Sequence, residues 1–378
     1  MNDEWANSTL GEVAEVCGGG TPSTKEPSYW GGDVLWLTPT EVVKADGRRI
    51  ATSERTITRE GLEGSSAKLL PAGTVLLTTR ASVGFTAIAE VPLATNQGFQ
   101  SLIPGSDILP EFLMYWIQGN RDEFTRRAGG STFPEVSKSK VSAIPIAYPP
   151  LPVQRRIVDL MAHLDRHLAN LRSEMQAVDR LLAAHQMALR ESVASLDSQR
   201  LGDIAECSWG NTSLTKSAYS DKGDVAYSAS GPDGFVESGE MSGEAVVLSA
   251  IGAKCGGTWL ATGHWTAIKN TIWFRSASDD VRTDFLYWVT RDPGTFAKRG
   301  QAQPFISLGD VRALELGIPS LEQQDAWVDL LNGLAVHSNH LSGELDATSR
   351  MRLACLSGLL SGSRIIPSSY DSLLDSVA

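Results

Sequence analysis

The stretch LGEVAEVCGGGTPSTK (residues 10–25) decides the fold, because it occurs a second time as LGDIAECSWGNTSLTK (residues 201–216). Without a gap, eight of the sixteen positions are identical. Two further positions exchange similar residues, Glu12 for Asp203 and Val13 for Ile204. A repeat of this length indicates that one structural unit has been duplicated.

Four further pairs of segments continue the repeat in the same order along the chain. They are, first copy before second, AGTVLLTTRASVG (72–84) and GEAVVLSAIGAKCG (243–256), EFLMYWI (111–117) and DFLYWV (284–289), GGSTFPEVSKSKVSAIPI (129–146) and GQAQPFISLGDVRALELGIP (300–319), and PPLPVQRRIVDLM (149–161) and PSLEQQDAWVDLL (319–331). The first pair indicates a strand followed by a turn of small residues, and the second indicates a short amphipathic helix. The sequence therefore predicts two copies of a mixed α/β globule, each followed by a long helix.

The two long helices carry apolar residues at alternating spacings of four and three, which is the pattern of a coiled-coil seam. No Gly or Pro interrupts residues 153–200, so a helix of about 40 residues and about 60 Å is predicted there. The seam residues of the first helix are Ile157, Met161, Leu164, Leu168, Leu171, Met175, Val178, Leu182 and Leu189, and those of the second are Trp327, Leu331, Leu334, Leu341, Leu345 and Leu359. Since a globule lies between the helices, the second should return antiparallel to the first.

The composition fits a globular protein whose total charge hides local basic clusters. The chain has 378 residues and a net charge of −11, which alone disfavours nucleic-acid binding. Basic clusters nevertheless occur, as DGRRI (46–50), NRDEFTRR (120–127), SKSK (137–140) and FAKRG (296–300). The four cysteines form no CxxC pair, which argues against a zinc site and a disulfide framework. With no apolar run of eighteen residues and no signal-peptide pattern at the start, a cytoplasmic protein is expected.

No segment of the chain has the residue spacing of the catalytic or nucleotide-binding motifs considered below. CGGGTPSTK (17–25) lacks the lysine directly after the last glycine that a phosphate-binding P-loop needs. YPPLP (148–152) lacks the Asp or Asn and the aromatic residue of an adenine-methylation motif, and no convincing GxGxxG follows a strand. The sequence therefore predicts no catalytic residue, no metal site and no cofactor in this chain.

Taken together, these segments resemble the DNA-specificity (S) subunit of Type I restriction-modification systems. The resemblance rests on the opening LGEVAEVCGGGTPS...YWGGDVLWLT, on LLTTRASVG, TNQGF and GST...VSKSKVSAIPI, and on PPLPVQRRIV leading into a long helix. The second half repeats it with AYSASGPDGFVES, VVLSAIGAKCG and IPSLEQQ. It covers about residues 8–360, and its specificity lies in the order and duplication of the segments.

The resemblance implies two α/β (α+β) target-recognition domains in tandem, joined by two long helices in an antiparallel coiled coil with pseudo-two-fold symmetry. The expected segments are recognition domain 1 (1–150), spacer helix 1 (151–198), recognition domain 2 (199–320), spacer helix 2 (321–362) and a tail (363–378). The tail has no counterpart in the repeat and is expected to be flexible or a minor docking segment.

The family's properties further imply a non-catalytic subunit that binds a split site in double-stranded DNA. Its partners would be two methyltransferase (modification) subunits and restriction/translocase subunits, in the prokaryotic cytoplasm at the nucleoid, with no membrane. S-adenosylmethionine, ATP and Mg²⁺ would be bound by those partners.

Candidate DNA contacts follow from side-chain chemistry, with cations for phosphate and side chains with paired donors and acceptors for base edges. The predicted phosphate contacts are Lys25, Arg126, Arg127, Lys138, Lys140, Lys216, Lys254, Lys298 and Arg299. The predicted base-reading residues are Arg80, Asn96, Gln97, Ser131, Thr132, Phe133, Asn270, Gln301 and Gln303. Other roles are open: Asn96 and Asn270 could cap turns, and Phe133 could be core.

Two other functions are compatible with the sequence. The chain could be a specificity-like DNA-binding subunit of another defence system that serves a different effector. It could also be a coiled-coil scaffold that binds only proteins, although the duplicated globules with basic clusters argue against this.

Overall fold

The computed structural model describes residues 5–80, 82–129, 135–300 and 303–371. The chain forms two compact units, and the long helices contribute to both. Unit 1 comprises Met1–Asn170 with Leu345–Ala378, and unit 2 comprises Leu171–Glu344.

The regular elements alternate between short strands and short helices except for two long helices. The strands are β1 Ala6–Thr9, β2 Ala14–Gly18, β3 Trp30–Leu37, β4 Arg49–Ile50, β5 Arg55–Ile57, β6 Val75–Leu77, β7 Thr86–Ala89, β8 Ala94–Thr95, β9 Gln100–Pro104, β10 Pro145–Tyr148, β11 Ser198–Arg200, β12 Ala205–Trp209, β13 Asp224–Ser228, β14 Gly231–Val236, β15 Met241–Ser242, β16 Ala245–Ser249, β17 Thr258–Ala261, β18 His264–Ala267, β19 Thr271–Ser276 and β20 Glu315–Gly317. The α-helices are α1 Leu10–Val13, α2 Pro39–Ala45, α3 Arg59–Glu63, α4 Pro110–Gly119, α5 Arg121–Arg127, α6 Lys138–Ser142, α7 Leu151–Ala194, α8 Leu201–Ile204, α9 Thr283–Thr290, α10 Leu308–Arg312 and α11 Leu321–Leu360. Short 3₁₀ turns occupy Pro27–Tyr29, Lys216–Ala218 and Ser368–Tyr370.

The sheets of the two units have matching strand orders. Unit 1 contains a sheet of order β2-β9-β6-β7-β4, and unit 2 contains one of order β12-β19-β16-β17. Each unit adds a smaller sheet, β5-β3-β8 in unit 1 and β14-β13-β18-β15 in unit 2. The antiparallel pairs β1-β10 and β11-β20 join the two ends of each copy. The duplication read from the sequence is therefore present in the fold.

Helix α4 is buried almost all round, contrary to the amphipathic helix that its sequence suggested. All six residues of Phe112–Ile117 are buried. One side of α4 packs on β6 and β7, and the Tyr115 hydroxyl on another side donates to Asp165 of α7 at 2.9 Å. A helix placed between a sheet and a helix pair has no solvent face, so an apolar run without periodicity suits it.

Most of the predicted seam residues are buried, and the rest are partly buried. Ile157, Met161, Leu168, Leu171, Val178, Leu189, Leu331, Leu341 and Leu359 are buried, whereas Leu164, Met175, Leu182, Trp327, Leu334 and Leu345 are partly buried. In α11 the neighbouring residues Val328 and Leu356 are also buried. Within unit 1 the start of α7 packs on the end of α11, and within unit 2 the reverse holds, so the two helices run antiparallel.

Polar pairs occupy the places where the apolar spacing of α11 is interrupted. Within unit 1 the Arg352 guanidinium forms an ion pair with Asp165 of α7. Within unit 2 the Ser338 hydroxyl donates to Asp179 of α7 at 2.7 Å. At these positions the two helices are therefore joined by polar contacts instead of apolar packing.

The C-terminal tail is docked over its described part, so of the two expectations for it, flexible or a minor docking segment, the first does not hold for residues 363–371. The Ile366 side chain is buried in the core of unit 1. The buried Arg156 guanidinium donates to both carboxylate oxygens of Asp371, at 2.7 and 2.8 Å. The Tyr370 hydroxyl donates to Asp159 at 2.6 Å. The tail thus lies across the first turns of α7.

None of the described helices is long and apolar enough to cross a membrane.

Candidate nucleic-acid interface

One edge of the main sheet of unit 1 carries the loops that contain the candidate base readers. Strand β2 ends at Gly18 opposite Gln100, the start of β9, and Thr78 just beyond β6 forms a bridge with Phe99. Residues 19–26, which we call the opening loop, residues 78–80 and 82–85, and residues 96–99 therefore emerge at this same edge.

The glycines of the opening loop are required by close approach, not by a left-handed backbone. A Cβ added to Gly19 would lie 2.0 Å from the carbonyl oxygen of Asn96, and one added to Gly20 would lie 2.3 Å from the Ala67 nitrogen. Neither glycine has a positive φ. The Trp36 indole N–H donates to the Gly20 carbonyl at 2.9 Å, so this loop is fixed against the smaller sheet.

Three predicted base readers of unit 1 lie at this edge, each with a partner in the chain. The Arg80 guanidinium donates to Glu135 from Nε at 3.1 Å and also from Nη2. The Asn96 side-chain oxygen accepts from the Gly98 N–H at 2.8 Å, so Asn96 has the turn-stabilising role that was its alternative. The Gln97 side chain is exposed and accepts from the Thr21 hydroxyl of the opening loop.

The base of a hairpin beside this edge, Gly129 with Glu135, brackets in sequence the other candidates of unit 1. Gly129 and Glu135 exchange two backbone hydrogen bonds, of 3.0 and 3.1 Å, and the Val136 N–H donates to the Thr79 carbonyl at 3.0 Å. The base of the hairpin is thus attached to the segment after β6 that carries Arg80. The predicted base readers Ser131, Thr132 and Phe133 lie between its two ends, outside the described residues.

Unit 2 repeats this hairpin with the same backbone bonds. Arg299 and Phe305 exchange two hydrogen bonds of 2.9 Å, and the Ile306 N–H donates to the Ala250 carbonyl at 2.8 Å. Among its base-reading candidates, Gln303 is exposed on the hairpin, whereas Gln301 lies outside the described residues. The repeat therefore extends to the loops at the sheet edge, where its sequence similarity is low.

The side chains on the two hairpins differ in chemistry. Arg80 bridges Glu135 in unit 1, and Ile251 bridges Phe305 at the corresponding place in unit 2. An ion pair thus stands in one copy where two apolar side chains stand in the other, and Phe305 is 39% exposed. The same backbone presents donors and an acceptor in one unit and an apolar surface in the other.

Asn270 occupies a left-handed backbone position at the edge of unit 2. Its φ is +71°, the one positive φ of a non-glycine among the described residues. Its carbonyl accepts from the Ala250 N–H at 3.0 Å, as the Gly98 carbonyl accepts from Thr79 at 2.8 Å in unit 1. Asparagine tolerates this conformation, so Asn270 has the turn role that was its alternative.

The predicted phosphate contacts divide into two groups by their partners within the described chain. Arg126 and Arg127 pair with Glu123, Lys216 pairs with Asp233, Arg299 pairs with Asp310, and the ammonium groups of Lys140 and Lys254 donate to the carbonyls of Arg127 and Ser230. The side chains of Lys25, Lys138 and Lys298 are exposed and make no ion pair or hydrogen bond with the described residues. These three lysines could therefore bind a phosphate without first breaking an ion pair or hydrogen bond to the described residues.

Lys216 belongs to a polar cluster centred on Asp233. The Asp233 carboxylate accepts from Lys216 at 2.5 Å, from the Tyr219 hydroxyl at 2.6 Å and from the Ser228 hydroxyl at 2.8 Å. Burial raises the pKa of Asp233, but these three donors outweigh it and hold the pKa below its usual value. Lys216 therefore orders the hairpin of β13 and β14, and a DNA phosphate would have to compete with Asp233 for it.

Within the described parts of the chain, no group of three or more His, Cys, Asp or Glu side chains is arranged to hold a metal ion. The candidate surface therefore consists of hydrogen-bonding, cationic and apolar side chains.

The sequence is similar to those of known specificity subunits. Residues 2–178 match the family described as Type I restriction modification DNA specificity domain. The chain is 36% identical over 180 residues to the Type I restriction enzyme MjaIX specificity subunit of Methanocaldococcus jannaschii, which covers 47% of this chain and 42% of that protein. It is 23% identical over 379 residues to the EcoprrI specificity subunit of Escherichia coli, covering 93% of this chain and 91% of that one.

The fold matches a solved structure over nearly its whole length. The S subunit of a Type I restriction-modification system from M. genitalium superposes with a TM-score of 0.67 at 16% identity, covering 95% of this chain and 96% of that one. The family match falls on the first copy of the repeat, and the fold match extends over both copies. The first copy of the repeat is thus similar in sequence to the Type I restriction modification DNA specificity domain, and the whole chain has the fold of a solved S subunit.

Proposed function

We propose that this chain recognises a split target in double-stranded DNA, with one half-site read by each unit. The observation that carries the proposal is the duplicated sheet edge, where Gly129 with Glu135 and Arg299 with Phe305 form the same pair of backbone bonds, while Glu135 and Phe305 present different side chains. A constant backbone with variable side chains suits a reader of base edges, because the groove geometry is constant and the pattern of donors and acceptors varies.

The two half-sites are expected to differ in sequence. Arg80 with Glu135 offers donors and an acceptor to unit 1, and an arginine can form two bonds with guanine. Ile251 with Phe305 offers unit 2 an apolar surface, which suits the methyl group of thymine. We therefore expect polar readout in the first half-site and an A·T-containing second half-site.

Helices α7 and α11 are proposed to set the gap between half-sites and to dock protein partners. Both helices carry exposed apolar side chains, with Met187 of α7 60% exposed and Val336 of α11 67% exposed. Two methyltransferase subunits and the restriction/translocase subunits are the proposed partners, and they would bind S-adenosylmethionine, ATP and Mg²⁺. In this proposal the chain itself catalyses no reaction.

Sequencing of modified bases in host genomic DNA, with the gene present and deleted, tests the proposal. We expect methyladenine to disappear from one split motif with a fixed gap when the gene is deleted. Restoring the gene on a plasmid should restore the same motif. An unchanged set of methylated motifs, with the neighbouring methyltransferase expressed, would contradict the methylation role and favour an effector of another kind.

A further inference from the structure

Arg55 is an arginine of unit 1 that the basic clusters of the sequence do not include. It is exposed on β5, directly opposite Trp36 of β3. Its guanidinium carbon lies 3.7 Å from the centroid of the Trp30 ring and 5.3 Å from that of Trp36. The two indoles meet edge to face, with centroids 5.1 Å apart. This contact restrains the arginine side chain, because a guanidinium on an indole face is attracted to the ring electrons.

The Arg55 guanidinium makes no ion pair or hydrogen bond with the described residues. Every other described arginine of residues 1–150 that contacts an aromatic face or lies at the sheet edge has a polar partner. Arg80 bonds Glu135, and Arg121, which lies over Phe85, bonds Asp46 at 2.6 Å. Arg55 therefore combines a restrained position with five unused N–H donors.

The aromatic pair also connects Arg55 to the opening loop. The Trp30 indole N–H donates to the Ser23 carbonyl at 3.1 Å, as that of Trp36 does to the Gly20 carbonyl. The same loop carries Thr21, which bonds Gln97 at the sheet edge. Arg55 is thus connected, through the two tryptophans and the opening loop, to the sheet edge that carries the predicted base readers.

Two unpaired lysines lie on this surface. Lys25 is in the opening loop, and Lys68 follows Ala67, whose backbone is in close contact with Gly20. Both side chains are exposed and have no hydrogen bond or ion pair with the described residues. In a protein of net charge −11, an arginine and two lysines left without counter-charges around one loop form a local site for an anionic ligand.

We propose that Arg55 reads a guanine in the half-site of unit 1, that Trp30 is its positioning residue, and that Lys25 and Lys68 contact the flanking phosphates. A guanidinium fork held at one edge matches the O6 and N7 acceptors of guanine. A phosphate requires only positive charge, which mobile lysines supply without an aromatic platform. This assignment rests on the proposed DNA-recognition function.

The test is selection of bound sequences from a random double-stranded DNA library by the full chain reconstituted with its modification subunits. The informative variant is Arg55→Lys, which keeps the charge and loses the fork. Arg59→Lys is the matched control, because Arg59 is an exposed arginine on α3 with no aromatic contact and no polar partner among the described residues. Trp30→Leu tests the platform, with the melting temperature of each variant measured alongside.

Arg55→Lys should reduce the preference for guanine at one position of the first half-site by roughly 5- to 150-fold. The second half-site should be unchanged, and Arg59→Lys should match the wild type. Trp30→Leu should weaken the preference at the same position as Arg55→Lys.

An unchanged preference at every position with Arg55→Lys would overturn the assignment. Equal weakening on all sequences would overturn it too, since that is the result for a phosphate contact. A wild-type complex that selects no motif would contradict the proposed function, and this assignment with it.

Discussion

Replacing Gln154 by Met should destabilise unit 1, because this buried side chain joins the first turn of α7 to the loop before α4. Its amide oxygen accepts from the Leu109 N–H at 2.9 Å, and its amide nitrogen donates to the carbonyls of Asp107 at 2.9 Å and Pro149 at 2.8 Å. Gln154 is 0% exposed. Methionine fills a similar volume but leaves these three backbone groups without their partner.

The expected loss follows from the groups that water cannot reach. Asp107 is exposed, so water can replace the bond to its carbonyl, whereas the Leu109 N–H and the Pro149 carbonyl lie in part-buried and buried surroundings. Two unsatisfied groups at about 1–3 kcal/mol each give a loss of about 2–6 kcal/mol. For a unit of about 200 residues this corresponds to a fall of about 4–24 °C in the melting temperature.

Calorimetry of the purified chain measures this effect, and the repeat supplies an internal comparison. Gln324 has the same place in unit 2, where it accepts from the Arg282 N–H at 2.9 Å and donates to the carbonyls of Asp280 and Pro319. Gln324→Met should therefore destabilise unit 2 similarly, while Arg155→Met, on the exposed face of the same turn of α7, should change little. A fall below about 2 °C for Gln154→Met would refute the reasoning, since the mutational cost of an unsatisfied buried group would then be absent.

Four further results are expected. Deleting seven residues from each long helix should keep both half-sites and shorten the gap by about three base pairs, since about 10 Å of helix is lost; an unchanged gap in the methylated motif would contradict the spacer role. The chain without partners should bind DNA weakly at physiological salt, and a nanomolar dissociation constant measured by fluorescence anisotropy would refute this. Phe305→Ala should reduce the preference for one base pair of the second half-site only, in the same library selection; a change in the first half-site would count against separate reading. The Arg156 guanidinium holds the pKa of Asp371 below its usual value. The stabilisation from this pair is therefore present above the pKa of Asp371 in the unfolded chain, and it is lost as pH falls through the pKa in the folded chain. Hydrogen exchange of residues 363–371 should rise below about pH 4 in the wild type and be high at every pH in Asp371→Asn.

The repeat and the long helices could be predicted because they depend on local signals. Eight identities between residues 10–25 and 201–216, and apolar residues at spacings of four and three, are visible in one dimension. The environment of α4 was not visible, because an apolar helix of ten residues has the same sequence pattern whether one or two of its sides are covered. Only the sheet and α7 together explain why Phe112–Ile117 are all buried.

Arg55 could not be predicted as a DNA contact because it lies in none of the basic clusters of the sequence. Its neighbours in sequence are Glu54 and Thr56, which give no basic signal, and its aromatic platform begins 25 residues earlier at Trp30. Trp30 and Trp36 lie on either side of a bulge in β3, and Arg55 lies on β5. Their proximity becomes visible only when the register of β3 and β5 is known. Pairing across strands, unlike charge density, requires the fold.

The partners of the predicted cations explain how an acidic chain can present a basic surface. A charged cluster in the sequence does not reveal whether its cations already have counter-ions: in NRDEFTRR, Glu123 neutralises both Arg126 and Arg127. These arginines gain little from a phosphate, since a new ion pair would replace an existing one in the same solvent. Lys25 and Lys68 lose no such pair, so their interaction with a phosphate adds to the free energy of binding. The quantity to measure is the slope of log K for DNA binding against log salt concentration. We expect the magnitude of this slope to fall by about one for each of Lys25→Gln and Lys68→Gln, and to be unchanged for Arg126→Gln.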